Sequence, residues 1–343
     1  MSEVEVFLDD TPGEVRGVVS RDGRFERLII QREDDPPEHR LGARLTGRVM
    51  EPDVAFRAAF VDLGGAGKPG FLPLGKREAI RTGDIIEVEV TAEPREAKGP
   101  VLKRLGAGQG RPRLLAPGPD VAARLRALAP GVEPITGVPA IQSSRDAEEE
   151  ALAASDFFAE WALDVAVQRT RALIAVDIDY MHIAGRDARK GRATANRQGL
   201  VQAARLIRLK GWGGLVAVDL VGTALDPSQI ADMAKTAFAG DDASFGPLSR
   251  FGLLQLALPW RTRPVEETLN EPGGRRSATT RAIDVARHLK HALLSDTTIP
   301  RLVARCAPDE SAGAAPLVAR LGPRAGLKAD PTLQAGRFVI EEG

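Results

Sequence analysis

The 343-residue sequence predicts an α/β protein that carries a small β-barrel in its N-terminal part. Two patterns support this. Residues 41–105 hold several short alternating segments at regular spacing, punctuated by Gly and Pro, as small barrels do. Beyond residue 170, apolar strand-like runs alternate with helical ones, the pattern of crossover units.

In order along the chain, residues 3–32 read as strand, turn, strand, with "RDG" as the turn signal. "EDDPPEHR" (33–40) is a polar break. Within 41–105 the strand candidates are "ARLTGRVMEP", "RAAFVDLG", "KPGFLPL", "TGDIIEVEVTAE" and "GPVLKRL". Residues 106–134 are rich in Gly and Pro and contain one short helical pattern, around Asp120 to Leu128. Residues 146–170 are expected as a helix, acidic at its start as the helix dipole prefers. A strand at 171–179 follows, then a basic loop "GRDARKGR" (185–192), an amphipathic helix "ANRQGLVQAARLIRLKG" and a second strand at 213–222. Asp226-Pro227 caps and opens a further helix. "RFGLLQLAL" is a strand and residues 277–294 a helix. The tail after Gly313 reads as loop until "GRFVIEE".

Composition narrows the function classes. Lys+Arg and Asp+Glu both number 47, so no global field favours nucleic acid, and any such argument is local. Cys306 is the single cysteine, which excludes an intramolecular disulfide and a cysteine-cluster zinc site. The acidic N-terminus is not expected to be a signal peptide, and no run approaches ~18 apolar residues. A soluble, cytoplasmic protein with no membrane partner is expected.

The chemistry concentrates in two strands. "LIAVDID" ends in Asp177 and Asp179, which share one face because side chains alternate along a strand. "GLVAVDLVG" repeats the design with Asp219. The loop and helix between them are long enough for a crossover between parallel strands. Parallel neighbours would bring both carboxylates to the same sheet end; antiparallel ones in simple register would not. Two carboxylates ~4 Å apart repel by about 4 kcal/mol at an effective dielectric of ~20. That implies a cation or a raised pKa, and Mg²⁺ fits, because it binds through one or two carboxylates and keeps water. The same pattern also suits aspartates that cap loops or pair with arginine.

These residues resemble the ribonuclease E/G family, single-strand-specific endoribonucleases of bacteria. "AVDID", "ANRQGLVQAARLIRLKGWGGLVAVDLVG" and "SRFGLLQL" (249–256) follow the family's catalytic strands, its intervening helix and its Arg-Phe-Gly-Leu segment. The resemblance implies that Asp177 and Asp219 are catalytic and hold Mg²⁺, with Asp179 as a further ligand where the family has asparagine. "TGRVMEPDVAFRAAFVDLGGAGKPGFLPL" resembles the family's S1-like OB-fold domain, so Phe60, Phe71 and Lys98 are implied in binding single-stranded RNA. From the residues alone, both phenylalanines also suit a barrel core. Arg205, Arg208 and Arg250 are further RNA candidates, although Arg205 and Arg208 equally suit the solvated side of a helix. His288 and His291 have helix-ligand spacing, but no third ligand accompanies them.

The organisation so implied is an N-terminal hairpin region (1–39), an S1-like OB-fold domain (40–105) and a linker with a helical remnant (106–170). A DNase-I-like catalytic region (171–262) and a small C-terminal α+β portion (263–343) complete it. Too little sequence separates barrel and catalytic strands for the family's 5′-end sensor. The family's zinc link between protomers lacks its cysteines, which leaves a homo-oligomer open by other means. The implied activity is Mg²⁺-dependent cleavage of single-stranded RNA to 5′-phosphate and 3′-hydroxyl ends. A catalytically inactive RNA-binding protein of the same descent is the alternative.

Overall fold

A computed structural model describes residues 3–53, 55–65, 67–75, 79–181, 188–222 and 225–343. The chain forms a mixed α/β fold of two compact units, Met1–Ala147 with Thr262–Gly343, and Glu148–Arg261. No helix among the described residues is long and apolar enough to cross a membrane.

The first unit opens with an antiparallel sheet of β1 (Val4–Asp9), β2 (Glu14–Arg21) and β3 (Arg24–Arg32). Asp22 and Gly23 join β2 to β3 with φ of 49° and 75°. That is the left-handed backbone of a tight hairpin, which Asp-Gly favours. Six strands follow: β4 (Arg44–Asp53), β5 (Ala58–Asp62), β6 (Gly70–Pro73), β7 (Ile85–Ala92), β8 (Val101–Ala107) and β9 (Arg113–Ala116). Their pairings run from β4 to β5, β6, β8 and β7, and β7 pairs with β4 again. Leu45, Val61, Leu72, Val88 and Leu102 fill the space this circuit encloses. α1 (Val121–Leu128) is capped by Asp120, whose carboxylate accepts the Ala123 N–H, where the short helical pattern predicts it. α2 (Val138–Leu152) follows and leads into the second unit.

The second unit holds β10 (Ser155–Phe158), β11 (Leu163–Arg169), β12 (Ile174–Tyr180), α3 (Ala188–Lys210), β13 (Gly214–Asp219), α4 (Pro227–Ala237), β14 (Ser244–Phe245) and β15 (Leu254–Leu258). They form one mixed sheet in the order β10-β11-β12-β13-β15-β14. Of the expected basic loop, residues 185–187 lie outside the described residues and 188–192 begin α3. The helix expected at 146–170 is corrected. α2 stops at Leu152, and residues 155–169 form a hairpin in which Leu163, Val165 and Val167 are buried on alternate positions. That period of two belongs to a strand, and it outweighs the helix-favouring acidic run before it.

The chain then returns to the first unit with α5 (Val265–Leu269), α6 (Ala278–Ser295), β16 (Leu302–Cys306), α7 (Pro308–Ala319), β17 (Ala325–Ala329) and β18 (Phe338–Glu342). The tail is therefore not loop up to "GRFVIEE": α7 and β17 occupy it. Their Ala- and Gly-rich text carries little hydrophobic periodicity, although Ala314 and Val318 are buried. His288 is part-buried and edge-on to Phe338, with Nδ1 2.8 Å from the Asp284 carbonyl oxygen, which makes it a packing residue.

A buried charge network ties this unit together. The Glu14 carboxylate accepts from Arg16 Nε at 2.7 Å, Arg32 Nε at 3.0 Å and Arg287 Nη2 at 2.9 Å. Asp9 accepts from Arg287 Nε at 2.8 Å and from the Ser144 and Thr11 hydroxyls. The opening sheet, α2 and α6 thus share one set of buried charges. Burial alone would raise the Glu14 carboxyl, but the charges of Arg16, Arg287 and Arg32 hold it far below its ordinary value of 4.5. Asp9 is lowered too, as Arg287 and the hydrogen bonds overcome burial.

Removing one partner of a buried network strands the others, at a cost of about 3–5 kcal/mol. Glu14→Ala is expected to destabilise by that order in denaturant melts. Groups whose carboxyl pKa is depressed by folding stabilise above their unfolded values and lose that contribution as pH falls. The wild type should therefore lose stability as pH drops below about 4.5, and the Glu14→Ala variant should show a flatter acid limb.

Candidate active site

β12 and β13 are parallel neighbours, and Asp177 stands directly opposite Asp219 in their register. One face of the sheet, with Ile174, Val176, Ile178, Val216 and Val218, is buried under α3 and α4. By strand alternation both aspartates lie on the other face, which is open. Asp179 is on that face two positions along, and Asp164 of β11 pairs across from it. Exposed Phe157 and Leu215 share the same side.

The sequence builds this arrangement from the buried side. Gly199 lies in α3 where a Cβ would come within 2.5 Å of Ile178 Cγ2, so glycine lets the helix sit against β12. Asn196, buried in α3, donates from Nδ2 to the Val221 carbonyl at 3.1 Å and accepts the Val221 N–H at 2.8 Å. It fixes the chain two residues after Asp219. Nothing in its type or spacing singled it out in the sequence; only a helix facing a strand end makes it legible.

Arg205 does not take an RNA phosphate. It is 2% exposed, ion-paired with Glu150 and, at 3.3 Å, with Asp156, and it hydrogen-bonds Gln202. A helical polar stripe reads the same whether water or buried carboxylates face it. Arg208 is likewise engaged, 2.8 Å from Asp241. Arg250 is exposed and lies 4.7 Å over the ring of Phe251, itself 75% exposed. Thr170 closes the β11–β12 turn: its hydroxyl donates to the Leu173 carbonyl at 2.9 Å and accepts from the N–H groups of Ala172 and Leu173.

In the first unit, Phe60 and Phe71 are direct cross-strand partners on β5 and β6, with rings edge-on at 6.0 Å. Phe60 is 41% exposed and Phe71 half-buried, so neither belongs to the enclosed core. Lys98 is an exposed loop residue 3.4 Å from Glu96. Its loop leads to Pro100, whose carbonyl accepts the Phe71 N–H at 2.8 Å.

The donor set fits a hard cation. Burial raises the Asp177 carboxyl, and the charges of Asp219, Asp179 and Asp164 raise it further. No cation among the described residues is paired with Asp177 or Asp219. Asp179 does not complete a three-ligand cage: it lies about 7 Å farther along the strand, and no group of three His, Cys, Asp or Glu among the described residues could hold a metal. Two facing carboxylates and water are what Mg²⁺ accepts, whereas a closed zinc or calcium cage needs more protein ligands.

The model of the Ribonuclease E/G family matches residues 162–261. The resemblance in the sequence is thus borne out across the segment with Asp177, Asp219, Asn196 and the Arg250–Phe251 pair. No curated protein matches the chain.

Because folding opposes ionisation of Asp177, its charge destabilises the metal-free protein above its ordinary pKa, and a bound cation relieves this. Millimolar Mg²⁺ is expected to raise Tm in a thermal melt, and Asp177→Asn or Asp219→Asn to abolish that rise. Without metal, either variant should melt no lower than wild type. A wild-type Tm that Mg²⁺ does not move beyond an ionic-strength control would contradict the site.

Proposed function

We propose that the protein is a Mg²⁺-dependent endoribonuclease that cleaves single-stranded RNA. The observation that carries this is the Asp177–Asp219 pair, in register on an open sheet face and within the matched family segment. Asp177 and Asp219 would hold the ion. Bound there, magnesium would make a water more acidic for attack and supply a positive charge against the phosphate. Asp179 and Asp164 add negative charge to the same face and so strengthen the attraction for the cation. Asn196 keeps the end of β13 in place. The Arg250–Phe251 pair offers a ring for a base beside a charge for a phosphate. No Ser, Cys or His nucleophile is required, and 5′-phosphate and 3′-hydroxyl products follow from the family resemblance.

The five-strand circuit of the first unit supports an S1-like OB barrel, and the second unit's sheet a DNase-I-like catalytic region. Phe60 and Phe71 form an aromatic pair of the kind on which OB folds stack bases, with Lys98 two residues before the Pro100 that bonds Phe71. Asp179 in place of the family's asparagine is the one feature that favours the inactive RNA-binding alternative.

Cleavage of labelled single-stranded RNA, with and without Mg²⁺, separates the two. Wild type should cleave only with the metal, and Asp219→Asn should fall below a tenth of its turnover while binding RNA normally in chelator. A variant retaining more than that loses under ~1.4 kcal/mol of barrier stabilisation, too little for a metal ligand.

On the binding side, Phe71→Ala should weaken RNA affinity by about 1–3 kcal/mol with an unchanged salt slope. Lys98→Ala should flatten the plot of log K against log salt by roughly 0.7 for one lost phosphate contact. Fluorescence anisotropy across a salt series measures both. A lowered Tm with unchanged affinity in Phe71→Ala would make that ring structural.

A further inference from the structure

The first unit contains a small cavity of about 50 Å³ walled by Asp35, His39, Arg40, Glu93, Arg124 and Arg263. These come from four separate segments: the polar break before β4, the residues just after β7, α1 and the approach to α5. At ~10–15 Å³ per water-sized atom, the cavity holds roughly three to five such atoms. That is room for a tetrahedral oxyanion and not for a base or a sugar.

The carboxylates here are already engaged by the backbone. Glu93 accepts the Leu41 N–H at 3.3 Å and the Arg263 N–H at 3.0 Å, and Asp35 accepts the Arg32 N–H at 2.8 Å. Their guanidinium neighbours stand outside hydrogen-bond range: Arg124 Nη1 is 3.7 Å from Glu93, and Arg263 Nη1 is 3.8 Å from Asp35. Arg40 donates from Nη2 to the Asp35 carbonyl at 3.3 Å, but its Nε is buried and has no hydrogen-bond partner among the described residues. Arg263 donates from Nε to the Pro94 carbonyl at 3.5 Å.

Three guanidinium groups therefore face two carboxylates, which leaves excess positive charge even with His39 neutral. Buried donors are normally satisfied, so the unpaired Arg40 Nε stands out among these groups. Burial lowers the pKa of Arg124, even against the charge of Glu93, so this cation stands partly stripped of water. A carboxylate ligand would be planar and singly charged; donors arriving from three directions suit the tetrahedral, more highly charged phosphate better.

We propose that this cavity is a binding site for a phosphate group, distinct from the Asp177–Asp219 centre and independent of the proposed cleavage activity. Two sources present the same chemistry, inorganic phosphate and the terminal phosphate of an oligonucleotide. A wider cleft of about 830 Å³ shares His39, Pro94 and Arg263 with the cavity, and there Lys68 and Lys98 stand beside Glu96, Glu266, Glu267 and Glu271.

The test is calorimetric titration of the full chain with inorganic phosphate at constant ionic strength set with chloride. Wild type is expected to bind one equivalent saturably, with affinity reduced at least tenfold in Arg124→Gln and Arg40→Gln. Among the described residues the Arg40 side chain makes a single hydrogen bond, to a carbonyl, so its variant serves where Arg124→Gln fails to fold; circular dichroism melts in phosphate-free buffer check both. Oligonucleotides differing only in a terminal phosphate then distinguish the sources. Competition with inorganic phosphate by the phosphorylated form alone would support a nucleic-acid phosphate, and no competition by either form a free anion. No saturable phosphate heat in wild type, or a folded Arg40→Gln that binds as wild type does, would overturn the proposal.

Discussion

The parallel register of β12 and β13 is the constraint from which the rest of the second unit follows. Parallel neighbours cannot be joined by a tight turn, so the chain must leave the sheet and return through a crossover, here built around α3. That helix must then lie close against the strands it connects. Gly199 costs about 1 kcal/mol of helix propensity, and the missing side chain is what allows contact with Ile178. Asn196 fastens the far end of the crossover to Val221. Arg205 anchors the C-terminal part of the helix through Glu150 and Asp156. Each of these serves to place Asp219 opposite Asp177.

The two units treat charge in opposite ways. In the first, Glu14 and Asp9 are buried and paired, and the surrounding arginines hold their carboxyls below their ordinary values. In the second, Asp177 is exposed, has no paired cation among the described residues and is pushed toward the neutral form. A paired buried carboxylate is a fastening between elements. An unpaired one beside its like is a demand for a ligand, because the repulsion serves no packing purpose.

The aspartate strands were legible in the sequence because a short apolar run rich in β-branched residues marks a buried strand, and a charge at its end stands out against it. The turn at Asp22-Gly23, the short helix near Asp120 and the cap at Asp226 were legible for a similar reason, since each is a local signal with a local cause. What failed depended on what each segment packs against. Residues 155–169 carry helix-tolerant residues, and only pairing with β12 makes Leu163, Val165 and Val167 a strand face. Arg205 looked like a solvated cation because periodicity identifies a polar stripe without saying what lies opposite. The phosphate-sized cavity was invisible for the same reason, its arginines being drawn from segments more than 200 residues apart.

The open face poses a last electrostatic problem. Asp164, Asp177, Asp179 and Asp219 give it a field that repels a polyanion, and neighbours about 7 Å apart still interact by ~0.6 kcal/mol per charge pair even at the dielectric of water. If RNA is the substrate, its phosphate must approach several such charges at once. On the proposed reading, a divalent cation between Asp177 and Asp219 would offset their two charges and remove the nearest repulsion at the point where the scissile phosphate would sit. The metal would then have a part in admitting the substrate as well as in the chemistry. This gives Asp179 a physical meaning beyond its departure from asparagine. An extra carboxylate deepens the attraction for the cation, and it also raises the repulsion that the metal-free face presents to RNA. Substrate binding at this face thereby becomes more strictly conditional on the ion.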